Sequence, residues 1–147
     1  MDRRLFLLST FALAGCSGDP PRQTVICDPG LGAILARAGA VYGEAGVLVL
    51  NEVRAEALLE MAEHEASALV ATRQSLLANR LQRLGHVRLE HRWQARVGDE
   101  TVQLLVTKGG GPAQWRALEL AKWLASDAGA TALATPTAAN RPDADAP

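Results

Sequence analysis

Residues 86–108 read His-Val-Arg-Leu-Glu-His-Arg-Trp-Gln-Ala-Arg-Val-Gly-Asp-Glu-Thr-Val-Gln-Leu-Leu-Val-Thr-Lys. From His86 to Val97, polar and apolar residues alternate. Val87, Leu89, His91, Trp93, Ala95 and Val97 share one side; Arg88, Glu90, Arg92, Gln94 and Arg96 share the other. A period of two predicts a half-exposed strand. Gly98-Asp99-Glu100 predicts a tight turn, and Thr101 to Lys108 a returning strand, so the stretch is a hairpin.

What precedes the hairpin has a different rhythm. Gln23 to Cys27 is a short β-rich run that ends in the turn Asp28-Pro29-Gly30. Leu31, Ile34, Leu35, Ala38 and Val41 then recur at helical spacing up to Tyr42. Gly46 to Leu50 is almost wholly apolar, as a strand covered on both faces should be. Asn51 is placed to cap a helix marked by Val53, Ala57, Leu58 and Met61. Ser67 to Ala71 repeats the apolar run. Thr72 is placed to cap a helix with Leu76, Leu77, Leu81 and Leu84 inward and Arg73, Arg80 and Arg83 outward. Three strand–helix units in a row predict a parallel sheet with right-handed crossovers.

After the hairpin, Gly109 to Pro112 form a link. Ala113 to Asp127 is a helix with Trp115, Leu118, Ala121 or Lys122, and Leu124 inward, and Ala128 to Ala134 adds a further turn. Thr135 to Pro147, rich in Pro, Ala and Asp, reads as a disordered tail. The expected fold is α/β, one three-layer unit over 23–134 with a mostly parallel sheet.

The amino terminus is of another kind. Arg3 and Arg4 precede an apolar run from Leu5 to Ala14, which closes on the small residues before Cys16. Basic, then apolar, then small is the order of an export signal. The run is too short for a spanning helix, which needs about 20 residues. Leu13-Ala14-Gly15-Cys16 resembles the lipobox of bacterial lipoproteins, and Arg3-Arg4-Leu5-Phe6-Leu7 also resembles the twin-arginine export motif. The lipobox resemblance implies a signal peptide over 1–15, lipidation of Cys16 and a lipidated tether over 16–22. It places the protein in the bacterial envelope, membrane-anchored and facing the periplasm. Several acyl chains give stable attachment where one is marginal.

The totals exclude some classes. Fifteen basic residues stand against sixteen acidic ones, a net charge of −1, so there is no basic excess for nucleic acid. Of the two cysteines, lipidation of Cys16 leaves Cys27 alone, in a strand-like run that suits a buried thiol.

The order of the elements resembles the type-2 periplasmic solute-binding proteins, most closely their molybdate-binding, ModA-like group. The resemblance rests on Val25–Ala38, on Tyr42-Gly43-Glu44-Ala45-Gly46-Val47-Leu48-Val49, on Ala66-Ser67-Ala68-Leu69-Val70-Ala71, and on a closing helix from Ala117 to Gly129. Members have two lobes joined by hinge strands that grip a ligand between them. Here the two corresponding strands are joined by a short turn, which implies a fold reduced to one lobe and an open half-site. Ligands of such sheets sit at strand carboxyl ends, by helix N-termini. The resemblance therefore implies a site of Asp28 and Gly30, Asn51 and Arg54, and Thr72 and Arg73. It also implies an oxyanion such as molybdate as ligand and an ABC transporter as partner. Neither of the first two loops contains the Ser or Thr that the molybdate-binding group uses. Asp28 and Glu52 would repel an oxyanion, with Arg54 partly offsetting them.

Other clusters carry less. Glu60, Glu63 and His64 share a helix at metal-ligand spacing but read as a solvated face, and His86 and His91 lack a carboxylate or thiol cluster. Gly109–Gly111 lacks the Lys-Ser/Thr of a P-loop, and no Cys-x-x-Cys is present. No catalytic residue, metal or cofactor is expected. Two functions follow: an anchored solute-binding-like protein for an oxyanion or small solute, or a non-catalytic interaction or assembly module with a decayed site. The second would dock an envelope partner or a second copy. Trp115 and Trp123, eight residues apart, face similar sides, and either would be a contact anchor if exposed.

Overall fold

The computed structural model describes residues 22–43 and 47–134. The expected signal peptide, Cys16, the tether before Arg22 and the tail lie outside the described residues. Among the described residues, five strands and five helices follow one another. They are β1 (Arg22–Cys27), α1 (Gly32–Tyr42), β2 (Val47–Glu52), α2 (Ala55–His64), β3 (Leu69–Thr72), α3 (Ser75–Arg83), β4 (Val87–Val97), β5 (Glu100–Thr107), α4 (Gly111–Ala125) and α5 (Asp127–Ala134).

The strands form one sheet in the order β2-β1-β3-β5-β4. β1 runs parallel to β2 and to β3, whereas β5 is antiparallel to both β3 and β4. The sheet is therefore mixed, not mostly parallel. The reason lies in the hairpin. Its turn is only Gly98-Asp99, because Val97 already pairs with Glu100, and Gly98 takes a φ of +63°. So tight a reversal makes β5 antiparallel to β4. β5 is buried from Val102 to Thr107 and becomes the interior strand, and β4 is left as a charged edge.

The crossovers explain the layers. The chain steps from β1 outward to β2, then back across β1 to β3. Right-handed connections in both steps place α1 and α2 on opposite faces. One face of the sheet packs Val25, Cys27, Leu69, Leu104 and Val106 against α1, α4 and α5. The other packs Ile26, Val70 and Leu105 against α2 and α3. Each fully buried Leu or Ile contributes about 1.5–3 kcal/mol relative to exposure.

Several expectations are corrected. Asn51 caps no helix; it lies within β2, and Arg54 occupies the N-cap of α2. Thr72 ends β3, two residues before the Gln74 N-cap, though its hydroxyl accepts from the Gln74 amide at 3.1 Å. Leu77 and Leu81 face inward, but Leu76 is 80 % exposed and Leu84 also faces water. Two of four leucines, with Ala78 between them, suffice to cover so short a helix's contact with the sheet. Trp115, expected inward, is 63 % exposed; Trp123 instead packs on Tyr42, ring centroids 5.0 Å apart. Ala121 is the buried alternative and Lys122 is exposed.

The single inward face expected for β4 is also broken. Val87 pairs with Thr107, yet Arg92 pairs with Leu105, an irregularity that inserts three residues. An odd insertion reverses which side faces the core. Val87 packs with α2 and α3, whereas Trp93 and Ala95 pack on the opposite face. Leu89, inside the irregularity, is 78 % exposed.

Candidate functional site

The carboxyl ends of β1, β2 and β3 meet the N-termini of α1, α2 and α3. Between β1 and β3 the strand order reverses direction, which is where such sheets form a ligand crevice. Asp28 spans that crevice. Its carboxylate Oδ2 accepts from the Thr72 hydroxyl at 3.0 Å and from the Arg73 amide at 2.6 Å. The Asp28 amide in turn donates to the Ala71 carbonyl at 3.2 Å. Asp28 is only 5 % exposed and Thr72 is fully buried. The other carboxylate oxygen, Oδ1, is buried without a partner.

The N-terminus of α1 is occupied in the same way. Glu52, at the end of β2, places Oε2 2.6 Å from the Gly32 amide. α1 has no acidic residue in its first turn and no side-chain cap of its own, so the neighbouring strand supplies the anion that its free N–H groups attract. Gly32 leaves room for this approach, because a Cβ there would push the Glu52 carboxylate aside. Replacing Glu52 by alanine should cost about 1 kcal/mol of stability, and Glu52→Gln, which keeps an acceptor, should cost less. Thermal unfolding of the two variants checks this.

The Arg73 guanidinium is already engaged by the protein's own acceptors. Its Nε donates to Glu100 Oε1 at 2.7 Å and its Nη1 to the Pro29 carbonyl at 3.2 Å. This clasp closes over Gly30, which adopts a φ of +93° that favours glycine. The structure thus brings together Asp28, Gly30, Thr72 and Arg73. Asn51 is held in the sheet opposite Ile26, and exposed Arg54 makes no side-chain cap. Glu52 and Glu100 complete the corner. Glu52, which would repel an oxyanion, instead caps α1; its place at a strand end is the sequence signal for that role.

Cys27 lies beneath this corner, fully buried. Burial, reinforced by the Glu52 and Asp28 carboxylates and opposed by Arg73, pushes its thiol up to about 11 from 9.0. A thiol of raised pKa is a poor nucleophile at neutral pH. The stability associated with it is fully present below pH 9 and is lost as the pH rises through 9 toward 11, where the unfolded chain ionises first. The loss is on the order of 2 kcal/mol. In Cys27→Ala that alkaline decline should flatten, whatever the variant's baseline stability, as measured by denaturant unfolding across this range.

Among the described residues, no group of three or more His, Cys, Asp or Glu is arranged to hold a metal ion. No helix among them is long and apolar enough to cross a membrane. Compared with known protein families, curated proteins and solved structures, the chain matches none.

Proposed function

We propose that the protein is a lipid-anchored module of the bacterial envelope. It has the plan of a single solute-binding-protein lobe, its ligand corner is closed from within, and it acts by docking and not by catalysis. The observation that carries this reading is the Glu52 carboxylate on the Gly32 amide. It fills the helix N-terminus that would receive an oxyanion, while Asp28 fills the adjoining crevice. An oxyanion entering there would displace two carboxylates and meet the orphan acceptor Asp28 Oδ1.

Support for a one-lobe plan comes from the turn at Gly98-Asp99. It lies at the same end of the sheet as Asp28, tied to it through Arg73 and Glu100, where a second lobe would have to emerge. Exposed Leu76, Leu89 and Trp115 offer contact anchors for an envelope partner or a second copy. The anchoring half of the proposal is tested by mass spectrometry of the N-terminal peptide from membrane-extracted protein. A diacylglyceryl, acylated Cys16 is expected; an unmodified Cys16 would contradict it.

A further inference from the structure

At the opposite end of the sheet from the closed corner lies a pocket of about 560 Å³ lined by Arg88, His91, Lys108, Gly109 and Gln114. Three of these five residues are basic. The β4 irregularity lies between Val87 and Arg92, so it carries both Arg88 and His91 to this pocket. Insertions of this kind re-aim side chains that regular pairing would place elsewhere.

The floor is tightly constrained. Ser67 holds a φ of +58°, the one positive value at a non-glycine among the described residues. Its hydroxyl donates to Gln114 Oε1 at 3.0 Å, and Gln114 Nε2 lies 3.3 Å from His91 Nδ1. When that amide donates to Nδ1, the neutral ring carries its proton on Nε2. A Cβ on Gly109 would collide with Ser67 Oγ, so only glycine permits this approach. The glycines lead into α4, whose first turn has neither an acidic residue nor a side-chain cap. Its free N–H groups add to the positive field. Arg88 Nη2 meets Glu90 Oε2 at 3.0 Å, but both side chains are more than half exposed, and such a pair is weak enough for a competing anion to displace. Lys108 makes no ion pair among the described residues.

The sheet register says what lies nearby. Val25 of β1 pairs with Leu69 of β3, Leu69 with Val106 of β5, and Val87 of β4 with Thr107. Arg22, where the chain enters from Cys16, is therefore at the pocket's end of the sheet, and Gln23 Nε2 donates to the Ser67 carbonyl at 3.1 Å. β1 and β5 are two strands apart, about 10 Å. The five residues between Cys16 and Arg22 make six Cα steps, which reach no further than about 22 Å.

We propose that this pocket binds a phosphate group, and that its source is the headgroup of an anionic phospholipid in the membrane that holds the anchor. The lipid source rests on the anchoring reading above; the phosphate site does not. A chain tethered by Cys16 would present the pocket's end to the bilayer, where basic side chains are attracted to anionic lipid.

Hydrogen exchange of the full chain in nanodiscs tests both parts. Exchange over 87–91 and 109–114 should slow several-fold in phosphatidylglycerol discs relative to phosphatidylcholine discs. The double variant Arg88→Ala/Lys108→Ala should lose the difference, while Arg88→Lys/Lys108→Arg should retain it. Both positions changed, Arg88 and Lys108, are exposed, and unaltered thermal unfolding verifies the fold. Inorganic phosphate added to the chain in neutral detergent is the second arm. Protection by phosphate as strong as by the lipid supports the phosphate site and overturns the lipid source. No protection in either arm overturns the proposal. A chain that fails to stay with either disc overturns the anchoring reading, and the detergent arm still decides the pocket.

Discussion

Replacing Asp28 by alanine is expected to lower the unfolding free energy by about 3 kcal/mol. The substitution removes the acceptor of two donors, the buried Thr72 hydroxyl and the part-buried Arg73 amide. Each unsatisfied buried group costs roughly 1–3 kcal/mol, since water cannot replace the lost partner without opening the crevice. Asp28→Asn keeps one carbonyl oxygen able to accept both bonds and should cost much less. Denaturant unfolding of the two variants separates hydrogen bonding from charge. Equal losses in both would mean that the ionised carboxylate, and not its acceptor geometry, holds β1 to β3.

The second large effect lies at the far end of the chain. Gly129→Ala should destabilise by about 3 kcal/mol, the upper end of ordinary overpacking. In an exposed helix interior the same change would stabilise by roughly 1 kcal/mol through helix propensity. The sign is expected to reverse because a Cβ at Gly129 would collide with the Trp123 carbonyl and with the backbone of Leu124. Backbone cannot move aside as a side chain can, so α5 must shift from α4, and Leu133 and Ala132 leave the core with it. Thermal unfolding reads the loss. Near-ultraviolet circular dichroism should also change, since Trp123 is packed on Tyr42. A neutral or stabilised variant would show that the junction is looser than its contacts imply.

The same junction carries its own local signal in the sequence. The expectation there is a helix over Ala113 to Asp127 with a further turn over Ala128 to Ala134. The break is made by Ser126, whose backbone is extended and whose hydroxyl accepts from the Gly129 amide at 3.3 Å. Ser followed by Asp at a new first turn is a helix-start signal, and it was present in the chain. The strand–helix units were legible because each apolar run and each helical stripe is short and complete. The hairpin was legible from its turn. Its internal slip was not, because alternation persists in the letters on both sides of an insertion that only pairing with β5 reveals. The face of α3 was ambiguous for a similar reason: four leucines offered a wider stripe than the sheet needed.

Four of the six residues expected at the strand ends share one corner, and the chemistry there is set by carboxylates. Asp28, Gly30, Thr72 and Arg73 do converge, because parallel strands bring their carboxyl ends together. That the carboxylates are the occupants, and not obstacles to one, depends on the reach of Glu52 to an amide twenty positions earlier in the chain. Such a long-range cap leaves no local pattern. Asn51 is adjacent to Glu52 in sequence, but its backbone is committed to β2 opposite Ile26.

The claim on which the functional reading stands is that this corner is closed by the protein's own anions. Hydrogen exchange over 31–35 and 73–78, with molybdate, tungstate or sulfate added to the full chain, addresses it locally and separately from the basic pocket at the other end. The expected result is unchanged exchange in both segments at every concentration of oxyanion. Saturable protection of both segments would contradict it and would make the corner a working ligand site.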